Sequence, residues 1–328
     1  MKEHEIRPEK LLNRYLELSA EDVKNYFANE TRQEVSCVAC GGSQTKNQFS
    51  KNDFAYVQCV ECGTLFQSPR PTIASFESFY RQSKSSRYWA EVFFPAIAEI
   101  RREKIFRPRV ERLRSLCETK NINVKCLIDV GAGFGIFLDE WRKCFPKAQL
   151  LAIEPSASLA QECRSKKLEV VEEIVENVVG HDNSADLVVC FEVLEHTYDP
   201  LDFLQVLKRL VRPGGYVFVS TLCIDGFDLQ VLWEKSNQIF PPHHINFLSI
   251  EGFERLFQRA GLTNVEVTTP GLLDVDIVRN VCKHDPKLLR GQRFLSNLLG
   301  DDASATALQN FLVEQRRSSH AWVIGQRK

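Results

Sequence analysis

No run of eighteen or more apolar residues occurs in this chain, so none of its helices is expected to cross a membrane. An excess of charge of one sign is missing too: 42 Lys and Arg stand against 43 Asp and Glu, a net charge of -1. A protein that coats nucleic acid would show a clear basic excess, which makes nucleic acid an unexpected partner. The opening residues, MKEHEIRPEK, are charged throughout and lack the apolar stretch of a signal peptide. Internal repeats and low-complexity segments are absent as well. What is present is 328 residues, 44% hydrophobic and 26% charged, enough to bury a core in one large domain with something smaller attached. Eleven cysteines without an export signal are expected to be thiols or metal ligands rather than disulfides, in the cytosol.

Texture changes along the chain mark four segments. Residues 1–33 alternate apolar and charged positions at helical spacing, with Leu11, Leu12, Tyr15 and Leu16 on one stripe, continued by Val23, Tyr26 and Phe27. Residues 34–70 turn to short strand-like pieces, Gly41-Gly42 and cysteine pairs. Pro69 and Pro71 then punctuate the chain, and residues 71–120 read as a charged, aromatic-rich helical linker or cap. Residues 121–328 alternate apolar strands (124–130, 150–154, 185–191 and 216–220) with helical stretches. That alternation predicts an α/β fold with a parallel sheet covered on both faces.

Cys37-Val-Ala-Cys40 and Cys59-Val-Glu-Cys62 are two CxxC pairs with 18 residues between them. Each pair can sit on a tight turn with both sulfurs facing one point, and two such turns supply four thiolates at tetrahedral geometry. Gly41, Gly42 and Gly63 follow directly where the backbone must be tight. A segment this short cannot build its own core, so bound Zn²⁺ would supply folding energy of ~10 kcal/mol. Four thiolates leave no open position, which points to a structural rather than a catalytic metal. The competing reading is four unrelated thiols or a redox pair. The other seven cysteines sit mostly in apolar runs and read as buried core.

Leu127-Ile-Asp129-Val-Gly131-Ala132-Gly133-Phe-Gly135 is an apolar strand ending in three alternate glycines. Such a turn lets a ligand approach the backbone without Cβ interference. The third glycine comes one residue too early for a dinucleotide fingerprint, so a tight pyrophosphate fit is not indicated. Asp129 suits a ligand with an ammonium group, and Glu154, 25 residues on, is placed to accept hydrogen bonds from both hydroxyls of a ribose. A nucleoside carrying an amino-acid tail fits all three features.

These residues resemble the class I S-adenosylmethionine-dependent methyltransferases over about residues 121–270. Asp129 to Gly135 is similar to the first motif of that family and Glu154 to its ribose-binding acid. Phe191-Glu192-Val-Leu-Glu195-His196 with Asp199-Pro200, and Leu207 to Gly215, resemble the segments after the fourth strand and before the fifth. The resemblance implies a Rossmann-like seven-stranded sheet with helices on both faces and an antiparallel last strand, here preceded by a small zinc ribbon and a helical segment. It implies S-adenosylmethionine as cofactor, with Asp129, Gly131, Ala132, Gly133, Gly135, Glu154, Phe191 and Glu192 around it and Glu173 and Ile174 near the adenine. In that family a Glu-His pair such as Glu195-His196 more often stabilises the next helix than acts on substrate. A four-Cys module ahead of such a domain is similar to methyltransferases that modify sugars, which implies a small-molecule acceptor, a saccharide or nucleotide-activated sugar. The alternative is an RNA methyltransferase that uses the module to recognise RNA. Against it stand the balanced charge and the lack of an Asn/Asp-Pro-Pro-aromatic motif after the fourth strand.

A sugar hydroxyl is a poor nucleophile and benefits from a base. Pro241-Pro242-His243-His244-Ile245-Asn246-Phe247 follows the fifth strand and precedes a helix from about residue 250 to 260. It therefore belongs at the carboxyl edge of the sheet, where open α/β folds bind ligands. An ordinary imidazole titrates at ~6.5, which suits proton transfer at neutral pH. His244 and His243 are the candidate catalytic residues, His244 preferred because the first of such a pair can be spent on loop structure. The basic run Arg101-Arg102-Glu-Lys104-Ile-Phe-Arg107-Pro-Arg109 reads either as a grip on a diphosphate or as a solvated helix face paired with Glu103 and Glu111. Beyond Gly271 the expectations are helices over 286–299 and 303–317, then a final strand over 321–325 beside 265–268.

Overall fold

The computed structural model describes residues 2–328. A small antiparallel sheet comes first in the chain, from β2 (Thr45–Lys51), β3 (Phe54–Cys59) and β4 (Leu65–Gln67). It is flanked by a two-residue ladder between β1 (Arg32–Gln33) and β5 (Arg70–Pro71). The large sheet is built from β6 (Cys126–Val130), β7 (Gln149–Ile153), β8 (Glu169–Val171), β9 (Ala185–Phe191), β10 (Val211–Leu222), β12 (Leu262–Thr268) and β13 (His320–Arg327), while β11 (Asn246–Phe247) lies outside it. Its order is β12-β13-β10-β9-β6-β7-β8. Only β13 runs antiparallel to its neighbours, with Val267 opposite Val323 and Phe218 opposite Ile324. The expected seven-stranded sheet with an antiparallel last strand is therefore present.

Strand periodicity explains the two faces. Leu127 of β6 joins one core with α6 (Arg107–Thr119), α7 (Ile136–Cys144) and α8 (Ala157–Ser165). Its neighbours Ile128 and Val130 point the other way, toward α9 (Pro200–Leu210) and α11 (Ile250–Arg259). Ahead of the sheet lie α1 (Glu3–Ile6), α2 (Glu9–Tyr26) and α3 (Ile73–Gln82). Then α4 (Lys84–Tyr88), a π turn (Trp89–Phe93), α5 (Phe94–Arg101) and a second π turn (Arg102–Phe106) lead without a break into α6. A last cluster joins α10 (Phe227–Leu232) with α12 (Asp274–His284), α13 (Arg293–Gly300) and α14 (Asp302–Glu314). Residues 285–292 are turns rather than the start of a helix, and α12 occupies a stretch outside the expected helices.

The Cys-rich segment is stitched to the later part of the chain. β11 adds as a fourth strand beside β4, pairing Asn246 with Phe66 and Phe247 with Leu65. An unpaired edge of β4 would leave backbone donors and acceptors without partners, and the residues after His244 cover it. On the opposite side Phe27, just after α2, and Phe79 of α3 pack with Phe54, Tyr56, Ile245 and Phe247 in one buried cluster. The small sheet thereby anchors the loop that precedes β11. No helix among the described residues is long and apolar enough to cross a membrane.

Candidate active site

The glycine turn lies at the carboxyl end of β6, between β7 and β9. The Gly131 and Ala132 amides donate to the Ile153 carbonyl at 2.9 and 3.3 Å, and Gly135 closes the turn on Ala132 at 2.9 Å. Two of the glycines differ in what demands them. A Cβ on Gly135, at φ +66°, would meet Leu168 Cδ1 at 2.7 Å and Cys163 Sγ at 2.9 Å, so packing requires it. A Cβ on Gly133, at φ +54°, would meet nothing within 4 Å, so this side of the turn faces open space. Glu154 accepts from the Gly133 amide at 2.7 Å and from the Ser156 amide at 3.0 Å, which fixes its carboxylate against the glycine turn. Asp129 is 2% exposed and its Oδ1 is a buried atom with no hydrogen-bond partner. Burial pushes its pKa up to about 8, against the pull of the nearby Arg109 charge. An orphaned carboxylate under an open glycine turn fits a ligand that brings an ammonium group.

Phe191 ends β9 beside this turn, and Glu192 follows it. Phe191 packs on Phe137 and lies 4.5 Å beneath the Arg109 guanidinium. Glu192 adopts φ +56° and accepts from Ser220 at 2.6 Å, His320 at 2.7 Å and Arg109 at 3.1 Å. Burial raises its pKa, but His320 and Arg109 outweigh that and hold it well below the usual carboxylate range. A non-glycine residue held at positive φ in a charged cluster is strain of the kind that collects at functional sites. Glu173 accepts from the Ile174 amide at 2.9 Å, and Ile174 is exposed.

The histidine loop shows two different environments. His243 is 4% exposed; its ring stacks on Phe240 at 5.1 Å and meets the edge of Phe79 at 4.8 Å. Its Nε2 meets only the Ser85 hydroxyl at 3.3 Å. His244 is half-buried, and its Nδ1 lies 2.6 Å from the Gln238 carbonyl. A carbonyl only accepts, so Nδ1 carries the proton and Nε2 keeps its lone pair. His196 is fixed in the same way, with Nδ1 2.8 Å from the His243 carbonyl. Burial depresses both imidazoles, His244 to about 4 and His196 to about 3. Glu195, buried and hydrogen-bonded by Thr221 at 2.6 Å, is pushed up to about 8 by burial and then by the Glu192 charge. Glu195, His196 and His244 each present one ligand atom within 4.8 Å of the other two, so the group can hold a cation as well as move a proton.

The sequence profile of the methyltransferase domain family matches residues 97–267, just over half of the chain, including the glycine turn, Asp129, Glu154, Glu192, Glu195, His196, His243 and His244. The chain belongs to the methyltransferase domain family. Among curated proteins it is similar to the ubiquinone biosynthesis O-methyltransferase of Yersinia pestis, 36% identical over 105 residues that cover 30% of this chain and 43% of that one. The chain thus matches less than half the length of such relatives. Among solved structures it is similar to a SAM-dependent methyltransferase from Archaeoglobus fulgidus, 14% identical over 72% of this chain and 100% of that one, with a TM-score of 0.49. A plantazolicin methyltransferase in complex with SAH is 16% identical over 77% of this chain and 94% of that one, also with a TM-score of 0.49.

Ahead of this methyltransferase domain, the four predicted cysteines come together. Sγ of Cys37 lies 3.5 Å from that of Cys62, Cys40 lies 3.5 Å from Cys59, and all four fall within 4.8 Å of one another. Thiolates about 2.3 Å from a tetrahedral Zn²⁺ stand about 3.8 Å apart, so the quartet has the right spacing and chemistry. Each knuckle closes on a glycine at positive φ: Gly41 donates to the Cys37 carbonyl at 2.8 Å and Gly63 to that of Cys59 at 3.0 Å. Cys37, Cys59 and Cys62 share a core with Phe253 and Leu256 of α11.

Several residues of the methyltransferase site are not evident from sequence reasoning. Tyr80 donates to the His243 carbonyl at 3.1 Å, and Ser220 and His320 hold Glu192. The basic run divides: Arg102 pairs with Asp139 at 2.8 Å and with Glu99 and Glu140, Arg107 pairs with Glu140 at 3.2 Å, and Arg109 enters the site. Pairing of Arg107 with Glu103, at 3.7 Å, is present as the helix-face reading expects. The spacing of basic residues along the helix was the signal available for Arg109.

Proposed function

We propose that the chain transfers a methyl group from S-adenosylmethionine to a hydroxyl of a small polar acceptor, a saccharide or nucleotide-activated sugar. His244 takes the hydroxyl proton at Nε2, and Cys37, Cys40, Cys59 and Cys62 hold a structural Zn²⁺. The observation that carries the cofactor is Asp129 Oδ1, buried without a partner at the end of the strand that leads into a glycine turn open at Gly133. When bound, S-adenosylmethionine supplies an already activated methyl on a sulfonium centre. The protein's own tasks are then to hold the cofactor, align the acceptor oxygen and take its proton.

Asp129 and Glu154 serve the first task, toward an ammonium and a pair of ribose hydroxyls. His244 serves the last: the Gln238 carbonyl fixes its tautomer, and burial keeps it neutral at pH 7, so Nε2 is free to accept. His196, held the same way, lies 4.8 Å from His244 between ring centres. Balanced charge supports a small acceptor over a nucleic acid.

The test is purified protein incubated with methyl-labelled S-adenosylmethionine and a fractionated cell extract. Label among small molecules, above all phosphorylated sugars, is expected. Label confined to RNA would replace this reading with RNA methylation, and label in no fraction would overturn it.

A further inference from the structure

Arg101 and Arg102 are neighbours on one helix with opposite surroundings. Arg102 satisfies its guanidinium with carboxylates of Glu99, Asp139 and Glu140. Arg101 has no carboxylate within ion-pair distance and no hydrogen bond among the described residues, and its Nε is a buried atom without a partner. Its contacts are aromatic, the ring of Phe94 at 5.3 Å and that of Trp89 at 6.0 Å. Aromatic faces attract a guanidinium, but they offer its N–H donors no hydrogen-bond acceptor. Arg101 is half-buried, and a guanidinium held there among rings without an anion is costly to desolvate, a cost that a ligand bringing one would offset.

The charges around it do not supply that anion. Glu192 is already taken by Arg109, His320 and Ser220. Two further arginines, Arg7 and Arg109, add positive charge nearby, and burial together with these two depresses Arg101 to about 9. Arg7 donates to Gln238 Oε1 at 3.1 Å and has one loose carboxylate contact, Glu3 at 3.7 Å. The segment that carries it is strapped in place: Lys2 and the Glu3 amide bind Asp276 of α12 at 3.2 and 2.7 Å, and Glu5 pairs with Lys104.

Position links this positive region to both halves of the reaction. Phe94, against Arg101, stacks on Phe134 of the glycine turn with ring centres 4.2 Å apart. In the other direction Trp89 packs on Tyr15 at 5.3 Å, and Tyr15 on Phe240 at 5.1 Å, at the start of the histidine loop. Gln238, the residue Arg7 holds, is also the one whose carbonyl fixes His244.

We infer that Arg101 and Arg7 form an anion-binding subsite between the glycine turn and His244, and that the acceptor carries a phosphate or carboxylate group seated there. Planar guanidinium forks match either anion through paired hydrogen bonds. This inference rests on the methyl-transfer reading and restricts its acceptor to molecules that are anionic within reach of the methylated oxygen.

The test is calorimetric titration of the full-length protein, saturated with S-adenosylhomocysteine, with three probes: inorganic phosphate, pyrophosphate and malonate. One-to-one binding of at least one probe is expected, weakened about tenfold or more in Arg101→Gln and largely kept in Arg101→Lys. A preference for phosphate or pyrophosphate identifies a phosphorylated acceptor, and a preference for malonate a carboxylated one. Arg7→Gln lies on the N-terminal strap and should weaken the same probe severalfold, which decides the matter if Arg101→Gln does not fold. Absence of probe binding to the saturated parent would overturn the inference, as would equal binding by parent and variants. Probe binding abolished by S-adenosylhomocysteine, with cofactor affinity itself falling in Arg101→Gln, would overturn it by giving Arg101 to the cofactor's carboxylate. Failure of the methyl-transfer reading looks different: the parent would then not bind S-adenosylhomocysteine at all.

Discussion

Tyr56, on β3 of the Cys-rich sheet, donates its hydroxyl to the carbonyl of His244 at 2.7 Å. The next residue is held from the same sheet, since the Gln67 amide donates to the Ile245 carbonyl at 2.9 Å. Arg70, 1% exposed, then reaches Asn246 Oδ1 at 3.1 Å and the Tyr198 carbonyl at 2.7 Å. The four-Cys module therefore shapes the histidine loop rather than standing apart from it.

Loss of the metal should consequently reach the chemistry. Replacing Cys59→Ser is expected to remove a stoichiometric zinc, lower the melting temperature and reduce turnover at least severalfold, with affinity for S-adenosylhomocysteine little changed. Metal content by mass spectrometry, thermal melting and calorimetry read the three effects. Full turnover by a zinc-free, folded protein would separate module from loop.

The glycines should divide by cause. Gly133→Ala adds strain of about 1 kcal/mol at φ +54° and places a methyl in the open flank, so cofactor affinity should fall more than stability. Gly135→Ala meets Leu168 and Cys163 at under 3 Å and should lower stability by a further 1–3 kcal/mol, as overpacking does (about that range). Calorimetry and thermal melting on both variants compare the two losses. The reverse pattern would contradict the assignment of the ligand side.

His244→Ala should cut turnover about a hundredfold or more while cofactor affinity holds. The pH profile carries a sharper signature. An ordinary imidazole base loses activity as pH falls through ~6.5, but burial depresses His244 to about 4, so the base form persists and the acid limb should lie below about pH 5.5. A limb at the ordinary value would contradict the buried-base account. Activity that vanishes on chelation and returns with Mg²⁺, zinc remaining bound, would show Glu195, His196 and His244 acting as metal ligands instead.

The same imidazoles should make the fold acid-sensitive. His243, His244 and His196 all titrate below the unfolded value, burial being the main cause. Below ~6.5 the unfolded chain binds protons that the folded one refuses. Their contribution to stability is therefore complete above that pH and is lost progressively toward about 4. Melting temperature should fall steadily between pH 6.5 and 4.5 in wild type, and less steeply in His243→Phe. Equal slopes would contradict the assignment.

Local pattern made much of this legible in the sequence. β9 spans Ala185–Phe191 as its apolar run suggests, and the cysteine quartet and glycine turn come together as their spacing implies. Periodicity reports which face of an element is buried, so it finds strands, helices and motifs. It does not report distant pairing. β11 is two residues long, and its partner in β4 lies about 180 positions earlier, so nothing local to Asn246 announces the contact. Arg101 and Arg102 look equivalent in a basic run, yet a step of one residue around the helix turns one to carboxylates and the other to aromatic rings. His320 and Ser220 matter only through Glu192, whose position at φ +56° no composition reveals.

Cofactor binding tests the central claim most directly. S-adenosylhomocysteine would be titrated calorimetrically into the parent, Glu154→Ala and Asp129→Asn. The account predicts a single site in the parent, weakened about tenfold or more by Glu154→Ala and measurably by Asp129→Asn, with both variants still folded. A folded parent that does not bind it, or binds it equally well without Glu154, would contradict the account.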